Sequence, residues 1–112
     1  MIHADKRLII LTGPTGVGKS AYAMELAQRL STPIISADSR QIYKGMSIGT
    51  DAPSREDMRA VPHFFVATRE VTSPYNAYDF SSDALALVDE IHRSHDTAII
   101  VGGSMMYIQA LL

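Results

Sequence analysis

A glycine-rich segment between an apolar run and a helical pattern has the residues of a phosphate-binding loop. Residues 13–20 read Gly-Pro-Thr-Gly-Val-Gly-Lys-Ser and follow the apolar run of residues 8–11. Glycines let the backbone turn tightly around a phosphate, toward which the N–H groups and the positive end of the next helix would point. The Lys19 ammonium would neutralise a terminal phosphate, and the Ser20 hydroxyl would hold a Mg²⁺ ion. The segment predicts a site for a phosphorylated ligand formed by Gly13, Pro14, Thr15, Gly16, Val17, Gly18, Lys19 and Ser20.

A carboxylate follows the second predicted strand. Asp38 comes directly after residues 33–37, and open α/β sheets bind ligands at the carboxyl ends of their strands. There the carboxylate could accept a proton from a nucleophile or position one. It could also cap the turn at residues 39–43. The position alone leaves both interpretations open, and they are compatible.

The third predicted strand, residues 97–101, does not end in an acid. Proteins that hydrolyse nucleotides usually place a Mg²⁺-binding acid there, whereas Gly102, Gly103 and Ser104 follow this strand and Asp96 precedes it. Either the acid lies in sequence outside this chain, or the loop does not hydrolyse nucleotides. The Gly-Gly-Ser segment could donate further N–H groups to an anion, but a plain connection capped by Ser104 is the simpler interpretation.

The histidines and tyrosines allow both a structural and a functional interpretation. His92 and His95 are three residues apart near a helix end, which favours interaction with the helix dipole over metal binding. Tyrosine rings could stack on a base, but ordinary packing is the simpler interpretation for Tyr43, Tyr75, Tyr78 and Tyr107.

The elements that must position these residues alternate between strands and helices. Strands are predicted at Arg7–Thr12, 33–37 and 97–101, helices at Lys19–Leu30, 54–60, 79–94 and 105–112, and a short extended piece at 63–67. The first strand has the continuous apolar run of a strand buried on both faces. Helical spacing gives the apolar faces Ala23, Leu26, Ala27 and Leu30, and Phe80, Ala84, Leu87, Val88 and Ile91.

We therefore expect an α/β fold, a P-loop NTPase-like parallel sheet with flanking helices. Three strands are fewer than the five or so usual for such a sheet, so we expect a truncated domain.

The composition is that of an ordinary globular protein. The 112 residues are 46% hydrophobic and 20% charged, with a net charge of −2 and no basic stripe typical of nucleic-acid binders. Because there are no cysteines, disulfides and thiolate metal sites are excluded, and a reducing cytoplasm is the simplest location. The sequence predicts neither a signal peptide nor a membrane span.

Several segments occur in an order that resembles the tRNA dimethylallyltransferases, also called tRNA isopentenyltransferases or the IPP transferase family. They are residues 13–20, 36–43, 49–53, 61–63 and 102–104 with Tyr107. The most specific is Asp-Ser-Arg-Gln-Ile-Tyr at residues 38–43, which ordinary P-loop kinases do not share. The resemblance covers essentially the whole chain. Departures from the family pattern are Phe64 for a second histidine, Ser104 for threonine and Met105 for glycine.

The resemblance implies transfer of a dimethylallyl group from dimethylallyl diphosphate to N6 of an adenine beside the tRNA anticodon. The glycine-rich loop would then bind the pyrophosphate of the donor rather than ATP, which would explain the missing acid. Asp38 would be the general base, Thr15, Lys19 and Ser104 would support the leaving pyrophosphate, and Mg²⁺ would lie at Ser20. The tRNA substrate would meet Asp38, Ser39, Arg40 and Gln41.

The resemblance also implies that residues 1–112 are the N-terminal part of a P-loop prenyltransferase domain. The rest of the family's chain grips tRNA, so we expect the isolated piece to be incomplete. A truncated sheet would expose apolar surface, so we also expect the isolated piece to self-associate. A related activity is prenylation of free adenine nucleotides. A small-molecule or nucleotide kinase, with Asp38 positioning a substrate hydroxyl, and a phosphate-binding piece without activity are the alternatives.

Overall fold

Four strands and four helices alternate along the chain in the computed structural model. It describes residues 6–12, 19–37, 54–66, 75–102 and 105–111, with the backbone alone at positions 19, 20, 105 and 106. The elements are β1 (Arg7–Thr12), α1 (Lys19–Leu30), β2 (Ile34–Ser36), α2 (Arg55–Ala60), β3 (His63–Phe64), α3 (Ala77–Ile91), β4 (Thr97–Gly102) and α4 (Met105–Leu111).

The four described strands form one parallel sheet in the order β1-β4-β2-β3. This confirms the parallel sheet but corrects the strand count, because the piece predicted at 63–67 pairs with β2 through His63 and Phe64. A strand of two residues carries no alternation that a sequence pattern could reveal. It ends at Phe64, because the next residue, Phe65, has a φ of 66°, in the left-handed region, and cannot continue a strand.

Successive residues of the central strands face opposite layers of helices, as alternation in a strand requires. On one face, Ile35 and Ile100 pack with residues of α3 and α4. On the other face, Ile34 and Ile99 pack with Ala23 and Ala27 of α1. The sheet is thus covered by helices on both sides.

The first strand is less buried than its apolar run predicts. Its four central residues, Leu8, Ile9, Ile10 and Leu11, are half-buried. Side chains of β1 pack against the core on both faces, Leu8 and Ile10 on one and Leu11 on the other, but their burial is only partial because β1 is an edge strand of the described sheet.

Helix α1 begins and ends as predicted. Its end is a Schellman turn, in which Ser31 has a φ of 52° and the Thr32 N–H donates to the Ala27 carbonyl at 3.1 Å. Because the helix ends here, Leu30 is 41% exposed, and its assignment to the buried face is wrong. Ala23 and Ala27 are buried as predicted.

Helix α3 is displaced from its predicted bounds of 79–94. It begins two residues earlier because Asn76 is its N-cap, accepting from the Asp79 N–H at 2.9 Å in a capping box. It ends at Ile91, and residues 92–94 form a hydrogen-bonded turn. The predicted face is confirmed except that Leu87 is half-buried. Helix α2 follows its predicted cap, Ser54, which also forms a capping box with Asp57.

His92, the C-cap residue of α3, is buried and joins two elements of the fold. Its ring is buried, and Nε2–H donates to the Arg7 carbonyl at 2.8 Å, joining the end of α3 to the start of β1. Its Nδ1 has no hydrogen-bond partner among the described residues.

No helix in the described segments combines the length and apolar character needed to span a membrane.

Candidate functional site

Three neighbouring strands end side by side at the carboxyl edge of the sheet. Thr12, the last residue of β1, is in register with Gly102, the last residue of β4. On the other side of β4, Ala37 follows β2, and its N–H donates to the Val101 carbonyl at 2.7 Å. Thr12, Gly102 and Ala37 therefore form a row, which we call the carboxyl row.

Every predicted site segment begins at this row. Residues 13–20 follow Thr12, residues 38–41 follow Ala37, and residues 103–104 follow Gly102. Segments far apart in sequence thus start from adjacent backbone positions, as predicted from the parallel order of the strands.

The predicted site residues themselves stay predictions. Those that lie outside the described residues are Gly13, Pro14, Thr15, Gly16, Val17, Gly18, Asp38, Ser39, Arg40, Gln41 and Ser104. Lys19 and Ser20 are the first two residues of α1, and only their backbone is described. Tyr43 also lies outside the described part of the chain.

Gly102 permits a close backbone approach that the sequence analysis did not assign to it. A methyl group on Gly102 would overlap the Ala37 carbonyl oxygen and lie 2.6 Å from the carbonyl carbon and 2.7 Å from the Ala37 Cβ. A glycine in a strand is a known signal of such an approach, but the sequence does not say which backbone approaches. The ends of β2 and β4 can meet this closely only with glycine at position 102.

The first turn of α1 contains no acidic residue, and neither does that of α4, whereas the first turns of the capped helices α2 and α3 do. Helix α2 has Glu56 and Asp57 in its first turn, and α3 has Asp79. A helix carries about half a positive charge at its N-terminus, and carboxylates there would repel an anionic ligand. The end of α1 that adjoins the glycine-rich segment therefore keeps the polarity that favours an anion.

The end of β4 carries a glycine in place of an acid, as predicted. The nearest acid in the sequence, Asp96, directly precedes β4. It therefore lies at the amino-terminal end of the strand, opposite the carboxyl row. There it forms an exposed ion pair with Lys6 at 3.2 Å. The described carboxyl end of β4 thus lacks the Mg²⁺-binding acid expected of an enzyme that hydrolyses nucleotides.

Aromatic rings connect the elements beneath this edge. Phe80 of α3 stacks on Tyr107 of α4 and meets Phe65 edge to face. Tyr75 meets the other side of Tyr107, and its hydroxyl donates to the Asp83 carboxylate at 2.7 Å. The packing interpretation is therefore confirmed for Tyr75 and Tyr107.

The same interpretation is wrong for Tyr78, which is 77% exposed. Its position on α3 points it away from the sheet, whereas Phe80 two residues later is fully buried.

His63 of β3 is held in one tautomer. Its Nδ1–H donates to the Val61 carbonyl at 2.7 Å, so the neutral ring keeps Nε2 as an acceptor. The ring is half-buried, next to Phe64, the residue at which the family pattern has a second histidine.

Comparison with known proteins identifies the family. The model of the family described as IPP transferase matches residues 41–112. Over 104 residues the chain is 48% identical to tRNA dimethylallyltransferase 1 of Phocaeicola vulgatus, covering 93% of this chain and 35% of that protein. Over 108 residues it is 50% identical to the tRNA dimethylallyltransferase of Chlorobium phaeobacteroides, covering 96% and 34%.

A solved structure supports the same family assignment. The tRNA delta(2)-isopentenylpyrophosphate transferase of Staphylococcus epidermidis superposes with a TM-score of 0.89 at 37% identity, covering 96% of this chain and 35% of that one. This likeness confirms the P-loop NTPase-like α/β fold. The chain spans about a third of the length of the relatives that it matches. The resemblance inferred from the ordered segments is confirmed, and the chain belongs to the IPP transferase family.

Proposed function

We propose that this chain carries the diphosphate-binding and proton-accepting parts of a tRNA dimethylallyltransferase. The enzyme would transfer a dimethylallyl group from dimethylallyl diphosphate to N6 of an adenine next to the anticodon. The observation that carries the proposal is the carboxyl row. The reaction needs a donor-binding loop and a general base close together, and this row places the starts of the two segments side by side. The names of the similar proteins, tRNA dimethylallyltransferases, support the same reaction.

In the proposed reaction, the N6 lone pair attacks C1 of the dimethylallyl group. The C1–O bond breaks, its electron pair leaves with the pyrophosphate, and the N6 proton passes to the Asp38 carboxylate. Because the pyrophosphate gains negative charge as the bond breaks, cations and donors fixed beforehand stabilise the transition state more than the ground state. Thr15, Lys19 and Ser104 would supply these interactions, next to the positive end of α1.

The oxygen ligands that this segment and a bound diphosphate would offer fit Mg²⁺ as the proposed cofactor. Ser20 is the second residue of α1, and hydroxyl and phosphate oxygens are the hard ligands that Mg²⁺ prefers. The described residues contain no group of three or more His, Asp or Glu side chains that could hold a metal. The proposed ion would bind through Ser20 and the phosphates of the ligand, and it would balance their charge.

Recognition of tRNA by this chain is proposed for residues 38–41. Asp38, Ser39, Arg40 and Gln41 would contact the adenine and its neighbours. With a net charge of −2 and no basic stripe, the chain offers little to the phosphate backbone, so tRNA would be gripped mainly outside residues 1–112. These residues would then be the N-terminal part of a prenyltransferase domain, and the absence of cysteine favours a cytoplasmic setting.

The donor preference tests this proposal. Calorimetric titration with dimethylallyl diphosphate and with ATP, each with Mg²⁺, should show tighter binding of the diphosphate. Lys19→Ala should weaken that binding by about tenfold or more because a charge-assisted hydrogen bond is lost. Lys6→Ala is the matched control, since it removes one lysine at the opposite edge of the sheet.

A preference for ATP would contradict the proposal and favour the kinase alternative. Equal effects of Lys19→Ala and Lys6→Ala would show that the glycine-rich segment is not the binding site.

A further inference from the structure

We propose that Gly102 is a positioning residue that sets where the Asp38 segment enters the site. This inference rests on the proposed function, in which Asp38 accepts the proton from N6. Gly102 itself touches neither substrate, and its effect passes through Ala37, the residue that precedes Asp38.

Gly102 has no room for a side chain, and β4 is held more firmly than the end of β2. A methyl group would overlap the Ala37 carbonyl on one side. On the other side, six residue pairs hold β4 in register with β1, from Arg7↔Thr97 to Thr12↔Gly102. Only three residue pairs, from Ile34↔Ile99 to Ser36↔Val101, hold β2 to β4, so the end of β2 yields more easily than β4.

Ala37 cannot absorb the overlap within the core. It is fully buried, and its side chain packs in the same cluster as Ile35 and Phe80. Its N–H is held by the Val101 carbonyl at 2.7 Å. The overlap therefore pushes Ala37 away from β4, which weakens its hydrogen bond to Val101 and moves the peptide that leads to Asp38.

A displacement of this kind would act on catalysis more than on binding of the donor. Misplacing a catalytic group by about 1 Å costs on the order of 10²-fold in rate. Thr12, after which the glycine-rich segment begins, lies on the far side of β4 from Ala37. Gly102→Ala should therefore separate kcat from KM.

The test compares Gly102→Ala with Ile99→Val in the full natural chain. For Gly102→Ala we expect prenyl transfer with a kcat lower by about 10²-fold and a KM for dimethylallyl diphosphate within about threefold of wild type. Ile99→Val lies on the same strand in the α1-facing core, and should lower the melting temperature by a few degrees without changing kcat. A folded Gly102→Ala variant with wild-type kcat, or with equal losses in kcat and donor affinity, would overturn the inference.

Amide hydrogen exchange tests the contact without relying on activity. The Ala37 N–H should be protected in the wild type and should exchange faster in Gly102→Ala, while the Ile99→Val variant keeps its protection. Unchanged protection in Gly102→Ala would show that β2 does not move. Absence of prenyl transfer by the wild type would instead overturn the proposed function, so the two failures are distinguishable.

A second variant decides the matter if Gly102→Ala does not fold. Ala37→Gly keeps Gly102 and removes one methyl group, so the sheet should form, but the backbone before Asp38 gains freedom. We expect kcat to fall roughly threefold at an unchanged KM, since the added backbone freedom must be lost in the transition state. A wild-type kcat for Ala37→Gly would overturn the inference.

Discussion

The rings of Phe80 and Tyr107 stack with their centroids 4.6 Å apart and their planes 18° apart. Phe80 lies in α3 and is fully buried, whereas Tyr107 lies in the first turn of α4. Because α4 begins three residues after Gly102, this stack holds one end of the short connection that carries Ser104. The packing of α3 against α4 thus fixes the helix that directly follows Ser104, a predicted site residue.

Removing the Phe80 ring should destabilise the fold strongly. Phe80→Ala leaves a cavity between the sheet, α3 and α4, and such changes cost about 3–5 kcal/mol of unfolding free energy. Chemical denaturation monitored by circular dichroism measures the change. Tyr78→Ala, on the same helix but 77% exposed, should stay within about 0.5 kcal/mol of wild type. Similar losses for both variants would contradict this account of the core.

Local patterns in the sequence correctly predict the helices and strands whose ends are marked by clear sequence signals. The bounds of β1 and α1 match the structure residue for residue, since an apolar run, a glycine-rich segment and a helical repeat follow one another without ambiguity. The apolar repeat predicts a start of α3 at Asp79, two residues late, because the repeat does not include the N-cap Asn76. The signal was present, since Asn followed three residues later by Asp is a form of capping box.

Contacts between distant segments are what the sequence could not predict. The half-burial of Leu8 and Ile10 depends on β1 lying at the edge of the described sheet, which an apolar run does not encode. The steric role of Gly102 depends on Ala37, 65 positions earlier in the chain. The predicted site residues could be grouped by strand order, but their side-chain geometry does not follow from that order.

The hydrogen bond from His92 to β1 should contribute measurably to stability. His92→Ala leaves the Arg7 carbonyl without this donor and empties a buried site, which costs about 1–3 kcal/mol. Thermal unfolding should therefore show a lower melting temperature. Arg93→Ala changes the neighbouring exposed residue and should have little effect. A loss equal to that of His92→Ala would show that the turn as a whole, and not the hydrogen bond, is responsible.

The 112-residue chain by itself should associate through β1. Its apolar residues are half-buried, and no described strand pairs with its outer edge, which is the arrangement that favours strand addition. Sedimentation velocity should show larger species as the concentration rises. Ile9→Lys should reduce them because lysine disfavours edge pairing, whereas Leu30→Lys, at an exposed position of α1, should not. A monodisperse monomer with a sharp thermal transition would contradict the expectation.

Replacing Asp38 by asparagine should separate chemistry from binding in the full natural chain. Asp38→Asn keeps the size of the side chain but removes the group that would accept the N6 proton, and loss of a general base costs roughly 10²-fold or more in rate. Binding of dimethylallyl diphosphate should stay close to wild type, because the donor is assigned to the segment that follows β1. Single-turnover prenyl transfer and calorimetry measure the two quantities separately. Asp96→Asn, at the opposite edge of the sheet, is the matched control and should change neither. Near-normal turnover of Asp38→Asn would remove Asp38 as the proton acceptor, and the inference about Gly102 would lose its mechanistic basis with it.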